Sequence, residues 1–262
     1  MHENRLRKML NENRPTVGTR LSSTWPTVTE AVAATGHYDY IEFLAEYAPY
    51  SQYDLENICR AAELHGMATM IKVDYQNRGF VAQKAVASGF QAILFTDHRT
   101  ADEVRETLRL IHPDCPGHDG LMGFANRRWI GFRPASTQLE FAAMAKKTVA
   151  AFMIEKKAAM DNIEEICSVP GVDIVQFGPY DYAMSCGINQ DENIAEIKAT
   201  ERRMIEIALK HDVRPRCEIQ NPNEAQYYID LGVRDFNLGS ELRIMQNYWR
   251  SEGQKLQDMI QG

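Results

Sequence analysis

The sequence predicts an α/β chain closed into a (β/α)8, or TIM, barrel, and three observations predict it. Short apolar runs alternate with longer amphipathic stretches along the chain, the pattern of repeated βα units on a parallel sheet. Eight such runs can be placed, with helical stretches between and after them, which favours a closed barrel over an open doubly wound sheet. No G-x-G-x-x-G follows the first run, so a dinucleotide-binding sheet has no support. The 262 residues suit a single barrel domain over 1–262 and can bury a sizeable core.

The elements follow in order. The first strand is expected at 16–21 (TVGTRL). The second, at 38–44, ends in Leu44-Ala45-Glu46-Tyr47-Ala48-Pro49, and a helix follows at 53–65. The third, 68–73, carries Lys72 at its end. The fourth, 92–96, runs into Thr96-Asp97-His98; Thr100 with Glu103 three residues on reads as a capping box that opens a helix at 101–111. Residues 112–136 form a long connection rich in Gly and Pro, which in a compact domain is usually functional or mobile. It carries Arg127, Arg128, Trp129 and Arg133, candidates for an interface or an anionic substrate, the alternative being a solvated loop with one anchoring Trp. The fifth strand, 149–155, ends in Glu155, and the sixth, 174–178, closes in Gly178-Pro179-Tyr180-Asp181. A helix at 194–210 leads to the seventh strand, 214–219, where alternation sets Arg216 and Glu218 on one face. The eighth strand is expected at 235–238, and 247–262 reads as a final helix.

Barrel active sites collect residues from the C-terminal strand ends. Glu155 and Asp181 would then point into one mouth, and two hard oxygen ligands there suit a divalent cation with positions left open for water and substrate. The alternative is that Glu155 caps the next helix and Asp181 sits in a solvated turn. Tyr47 can hold or donate a proton, but a phenol with an ordinary pKa near 10 is a weak base at neutral pH. Stacking at the barrel rim is its other reading. Asp97 and His98 offer acid–base capacity on the fourth strand, or no more than a loop histidine beside a helix cap. Cys217 has no adjacent His and is not expected to act as a nucleophile.

The segment MIEKKAAMDNIEEICSVPGVDIVQFGPYDYAMSCG joins a Glu at a strand end, an Ala and an Asn in the next helix, then Gly-Val-Asp and Gly-Pro-x-Asp. This resembles the signature of the HpcH/HpaI family of class II, metal-dependent 2-oxo-acid aldolases, and length and element order match from about Gly18 to the end. The resemblance implies Glu155 and Asp181 as ligands of Mg²⁺ or Mn²⁺, with Co²⁺ a further candidate. It implies Gly178, Pro179 and Tyr180 as the shapers of the pyruvate end. It also implies a homo-oligomer, a hexamer or trimer of dimers, with the last helix packed on a neighbouring subunit and 112–136 near the mouth and the subunit contacts. The chain departs from the family pattern at several places. Tyr47 stands for the catalytic His, Leu44 for an Asp, Lys72 for an Arg, Met153 for a Gln and Met122-Gly123 for Arg-Gly, and Val86-Ala87-Ser88-Gly89-Phe90 lacks a supporting Asp. Lysine keeps the charge but loses the bidentate fork that grips a carboxylate. As a point charge it still stabilises an enolate oxyanion, ahead of the other option, a Schiff base. With the metal carboxylates kept and the polar groups around them exchanged, the pocket reads as retuned in a divergent member.

The expected activity is a metal-dependent carbon–carbon lyase that cleaves or forms a 2-oxo acid through a pyruvate-type enolate, with an aldehyde as the other partner. Lys72, Tyr47 and Glu46 are its candidate catalytic residues. The alternatives are an oxaloacetate-type decarboxylase or another lyase or condensing enzyme on this scaffold, or a metal- or ligand-binding homologue without turnover. A net charge of −7 argues against a nucleic-acid or anionic-membrane partner. Residues 1–13 are charged and lack the apolar core of a signal peptide, and no apolar stretch approaches the length of a membrane span. The five cysteines are scattered, odd in number and form no C-x-x-C, so neither a disulfide framework nor a structural zinc site is expected. The cytoplasm is the expected compartment.

Overall fold

The computed structural model describes residues 3–125, 127–130 and 137–261. Eight parallel strands pair in sequence order and close on themselves. They are β1 (Thr16–Leu21), β2 (Tyr40–Leu44), β3 (Ala68–Val73), β4 (Ala92–Phe95), β5 (Val149–Ile154), β6 (Ile174–Phe177), β7 (Arg214–Ile219) and β8 (Asp235–Ser240). This is the (β/α)8 barrel the sequence predicts. β2 begins later than expected because Asp39 turns its carboxylate onto the Val17 N–H at 2.9 Å, where a strand would offer its backbone.

Alternation within the strands sorts the core into two parts. Residues on the outer faces, such as Ile71, Phe95 and Val175, pack under the helices. Residues on the inner faces, such as Met70, Leu94, Ala151 and Ile174, fill the lumen, where Leu6 of the Arg5–Asn11 helix joins them. Closure is tightest between β1 and β2, where a Cβ on Gly18 would overlap the Tyr40 ring. The β1–β8 register slips between Gly18 and Arg20, a bulge at the seam of the barrel.

Thr100 and Glu103 form the expected capping box on the Ala101–Ile111 helix. In the 112–136 connection, Arg128 pairs with Glu63 and donates to the Ser88 carbonyl at 3.1 Å. Arg127 lies 2.9 Å from Glu56, and Trp129 is buried edge-on against Phe141. These three side chains thus pin the connection to the outer helices, and none of them lines the cavity described below. Arg133 lies outside the described residues. The last helix, Glu241–Gln261, begins earlier than expected because the Glu241 carboxylate accepts the Ser22 and Ser23 N–H groups and fixes the helix start at the C-terminal end of β1. It leaves Leu242, Ile244, Tyr248 and Trp249 exposed. Among the described residues all five cysteines are free, and no helix is long and apolar enough to cross a membrane.

Candidate active site

Inward-facing positions change character along the barrel axis. β3 reads Ala68, Met70, Lys72; β5 and its continuation read Val149, Ala151, Met153, Glu155; β6 reads Ile174, Gln176, Gly178. On these three strands apolar residues fill the base and polar ones reach the C-terminal mouth, where barrel chemistry is done. A cavity of about 350 Å³ opens there. It brings together Lys72, Glu155, Gly178, Pro179, Tyr180 and Asp181 from distant parts of the chain, with Arg20 and Glu218 on the opposite wall.

Glu155 is buried, and burial pushes its carboxyl up to about 7 against the pull of the Lys72 ammonium. It does not cap the next helix; its Oε1 accepts the Asp97 N–H at 3.0 Å. That N–H is aimed by a left-handed backbone at Asp97, φ 64°, a conformation Asp tolerates better than most residues. The Asp97 carboxylate lies 2.7 Å from Lys156 Nζ, which stands 3.8 Å from Asp181. Asp181 sits in the first turn of the Pro179–Cys186 helix, with Pro179 at its first position, where a missing N–H does no harm. At the β5 and β6 side of the cavity the candidate donors are therefore the carboxylates of Glu155 and Asp181, from adjacent strand ends. Among the described residues no group of three or more His, Cys, Asp or Glu gathers as a metal site, so solvent and ligand would complete any coordination shell. An oxygen-only donor pair with open sides suits Mg²⁺ or Mn²⁺.

Gly178 gives the pair its room. A Cβ there would stand 2.7 Å from Glu155 Cβ and 2.9 Å from its Oε2. Gly178→Ala is expected to displace the Glu155 side chain, to destabilise the fold by about 1–3 kcal/mol and to weaken divalent-cation binding; thermal melts and cation titration check both effects.

Lys72 Nζ lies 2.7 Å from Glu46 Oε2, and both side chains are nearly buried. Tyr47 is exposed on the rim, and neither it nor Glu46 lines the cavity. Burial of its hydroxyl, a hydrogen bond to Glu46 and the Glu46 charge push the Tyr47 phenol well above its ordinary value. Tyr47 therefore holds its proton and serves as a donor to Glu46. His98 is not brought to the cavity. It is buried among Tyr75, Phe95 and Phe152 with Nε2 2.7 Å from Thr107 Oγ1, and burial keeps it neutral by pushing it down to about 3. Cys217 is buried in the outer core, where burial pushes its thiol up.

Sequence reasoning singled out Arg216 and Glu218 only as polar candidates and passed over Arg20, Glu42 and Gln176, although these five form the network that lines and underlies the cavity. Glu42 is buried between Arg20, at 2.9 Å, and Arg216. Arg216 also donates to Tyr40 Oη at 2.7 Å and to the Gln176 side-chain oxygen. Arg20 reaches on to Glu218 at the cavity wall. Their signal in the sequence is a charged or amide residue inside an otherwise apolar strand, as in YIEFL and IVQF. Burial opposes ionisation of Glu42, but Arg216 and Arg20 outweigh it and hold its carboxyl down at about 2. A depressed folded-state value gives stability that is present above the unfolded value near 4.5 and is lost as pH falls towards about 2. Glu42→Gln is expected to cost about 3–5 kcal/mol at neutral pH, because two guanidinium groups lose their counter-charge, and to flatten the acid limb of the stability–pH curve in that window. Denaturant unfolding between pH 2 and 7 measures both.

Known proteins bear on this geometry. The family described as HpcH/HpaI aldolase/citrate lyase matches residues 21–246. A hydroxypyruvate/pyruvate aldolase of Paraburkholderia phytofirmans is 26% identical over 260 residues, covering 98% of this chain and 97% of its own length. A 2-keto-3-deoxy-L-rhamnonate aldolase of Escherichia coli is 26% identical over 209 residues, 79% of this chain and 74% of its own. The crystal structure of the citrate synthase SbnG superposes with a TM-score of 0.87 at 20% identity, covering 99% of this chain and 100% of that one, a likeness of fold. With the match extending over nearly the whole barrel, the chain belongs to the HpcH/HpaI aldolase/citrate lyase family and is an enzyme of the carbon–carbon lyase class.

Proposed function

We propose that the protein is a divalent-cation-dependent aldolase acting on a small 2-oxo acid with a pyruvate-type end and an aldehyde partner. The observation that carries this reading is that Glu155 and Asp181 line one cavity with Lys72. A cation held by those two carboxylates, Mg²⁺ or Mn²⁺ and on the same ligands Co²⁺, supplies Lewis-acid polarisation of the 2-oxo acid's oxygens when bound. Lys72 places a positive charge beside the oxygen on which enolate charge develops, in a site screened from water. Glu46 holds the Lys72 ammonium in place. The proton of the aldol hydroxyl is assigned to the Glu46 carboxylate through an intervening water, since Glu46 does not line the cavity and Tyr47 beside it keeps its own proton. When the hydroxyl proton leaves, the bond between the third and fourth carbons breaks, the aldehyde departs, and the enolate left behind takes a proton at carbon. Gly178 gives close backbone approach, and Pro179 and Tyr180 bound the acid end. Lys72 as an imine-forming residue is the lesser option, since a cation on Glu155 and Asp181 would already supply the electron sink.

The exposed apolar residues of the Glu241–Gln261 helix favour contact with a second copy of the chain, hence a homo-oligomer. The same site would also decarboxylate oxaloacetate, because both reactions pass through one enolate.

The test is cation-dependent exchange of the methyl protons of pyruvate with solvent deuterium. Exchange that requires Mg²⁺ or Mn²⁺ supports the lyase reading. Its absence, with pyruvate bound, leaves a binding protein without turnover.

A further inference from the structure

Gln176 is a buried amide whose two ends meet different surroundings. It lines the active cavity, while Arg216, which does not, lies behind it and donates to its side-chain oxygen. A guanidinium has no acceptor, so the oxygen of Gln176 must face Arg216 and the NH2 group must face away. Arg216 is anchored by Glu42, on the same Nη1 that meets Gln176, and by Tyr40 on Nε, while its Nη2 has no partner among the described residues. The Gln176 amide nitrogen has no hydrogen-bond partner among the described residues. A donor fixed in this way at a cavity wall, with nothing among the described residues to receive it, is built for a ligand acceptor atom.

Its level in the barrel indicates which part of the ligand it meets. Gln176 is in register with Met153, one inward position below Glu155 and Gly178. The other polar groups of the cavity stand above it or across it, and the apolar lumen lies beneath.

We propose that Gln176 is a specificity-determining residue that donates to a carboxylate or carbonyl oxygen at the deepest end of the bound 2-oxo acid. This rests on the aldolase reading above and adds the residue that reads the acid end. A donor-only contact selects an oxygen with free lone pairs and discriminates against ligands that carry a methyl or methylene there.

Two variants separate this role from a structural one. Gln176→Glu keeps the size and the acceptor for Arg216 but exchanges both donors for an anionic oxygen, so weakened binding counts for the proposal only where Gln176→Met weakens it too. Gln176→Met removes both contacts. Binding of oxalate and of pyruvate is measured by calorimetry in the presence of Mg²⁺, alongside the melting temperature of each variant. The expected result is oxalate binding weakened about 10- to 100-fold in both, with Gln176→Glu folded like the parent. In turnover, KM for the 2-oxo acid rises while KM for the aldehyde holds. Parental oxalate affinity in Gln176→Glu would overturn the proposal and leave Gln176 as the group that holds Arg216. Should the parent protein with Mg²⁺ bind neither acid, the aldolase reading falls first, and this assignment falls with it.

Discussion

Glu155→Gln is expected to lower kcat/KM for the lyase reaction by at least about 10³-fold, the largest effect of any single change in the cavity. The substitution keeps shape, and the amide oxygen still accepts the Asp97 N–H. What it removes is one of the two anionic ligands proposed for the cation, so cation affinity and turnover should fall together. Stability should move the other way. The folded-state value of Glu155 is raised to about 7, so its stabilising contribution is complete below the unfolded value near 4.5 and is lost as pH rises through 7. A neutral amide escapes that loss. In cation-free buffer at pH 8, Glu155→Gln should equal or exceed the parent by on the order of 1–3 kcal/mol, and added Mg²⁺ should stabilise the parent alone. Opposite signs for activity and stability mark a residue kept for its chemistry; a core residue would lose both.

The second large effect is expected at Lys72. Lys72→Met removes the charge next to the developing enolate and should lower kcat about 10²- to 10³-fold. It also strands the nearly buried Glu46, so part of the loss will appear as lower stability. Lys72→Arg separates the two possible roles of the amine. Arginine keeps the charge and adds a planar fork, but it forms no imine with a 2-oxo acid. Substantial activity in Lys72→Arg, with no borohydride-trapped adduct in the parent, supports charge stabilisation. A trapped adduct with an inactive arginine variant would move Lys72 to the nucleophile role.

The barrel was legible because its signal is repeated. A lumen face and a helix face give each strand its apolar residues, and a misread boundary shifts a strand end without changing which face a side chain occupies. That Glu155 and Asp181 share the mouth was legible for a related reason, since Glu155 directly follows β5 and Asp181 lies in the first helical turn after β6. Other features needed the third dimension. Glu42 and Arg216 lie 174 positions apart in sequence and meet only when β2 and β7 face each other across the lumen. Gln176 looked like a break in an apolar strand until Arg216 fixed its orientation. His98 carries the side chain of a general base at a strand end, yet the turn at Asp97 sends it outward among aromatic rings. The arginines of the 112–136 connection invited an anion-binding reading, and their carboxylate partners on the Gln52–Leu64 helix show why Arg127 and Arg128 face outward. Residue type suggests chemistry in each case, but only a partner or a direction decides it.

A crystal structure of the protein with Mg²⁺ and oxalate tests the central claim most directly. The expected density is a cation held by Glu155 and Asp181, oxalate beside it and Lys72, and one oxalate oxygen within hydrogen-bond reach of the Gln176 amide. A cation bound elsewhere, or carboxylates turned away from the mouth with oxalate absent, would contradict it.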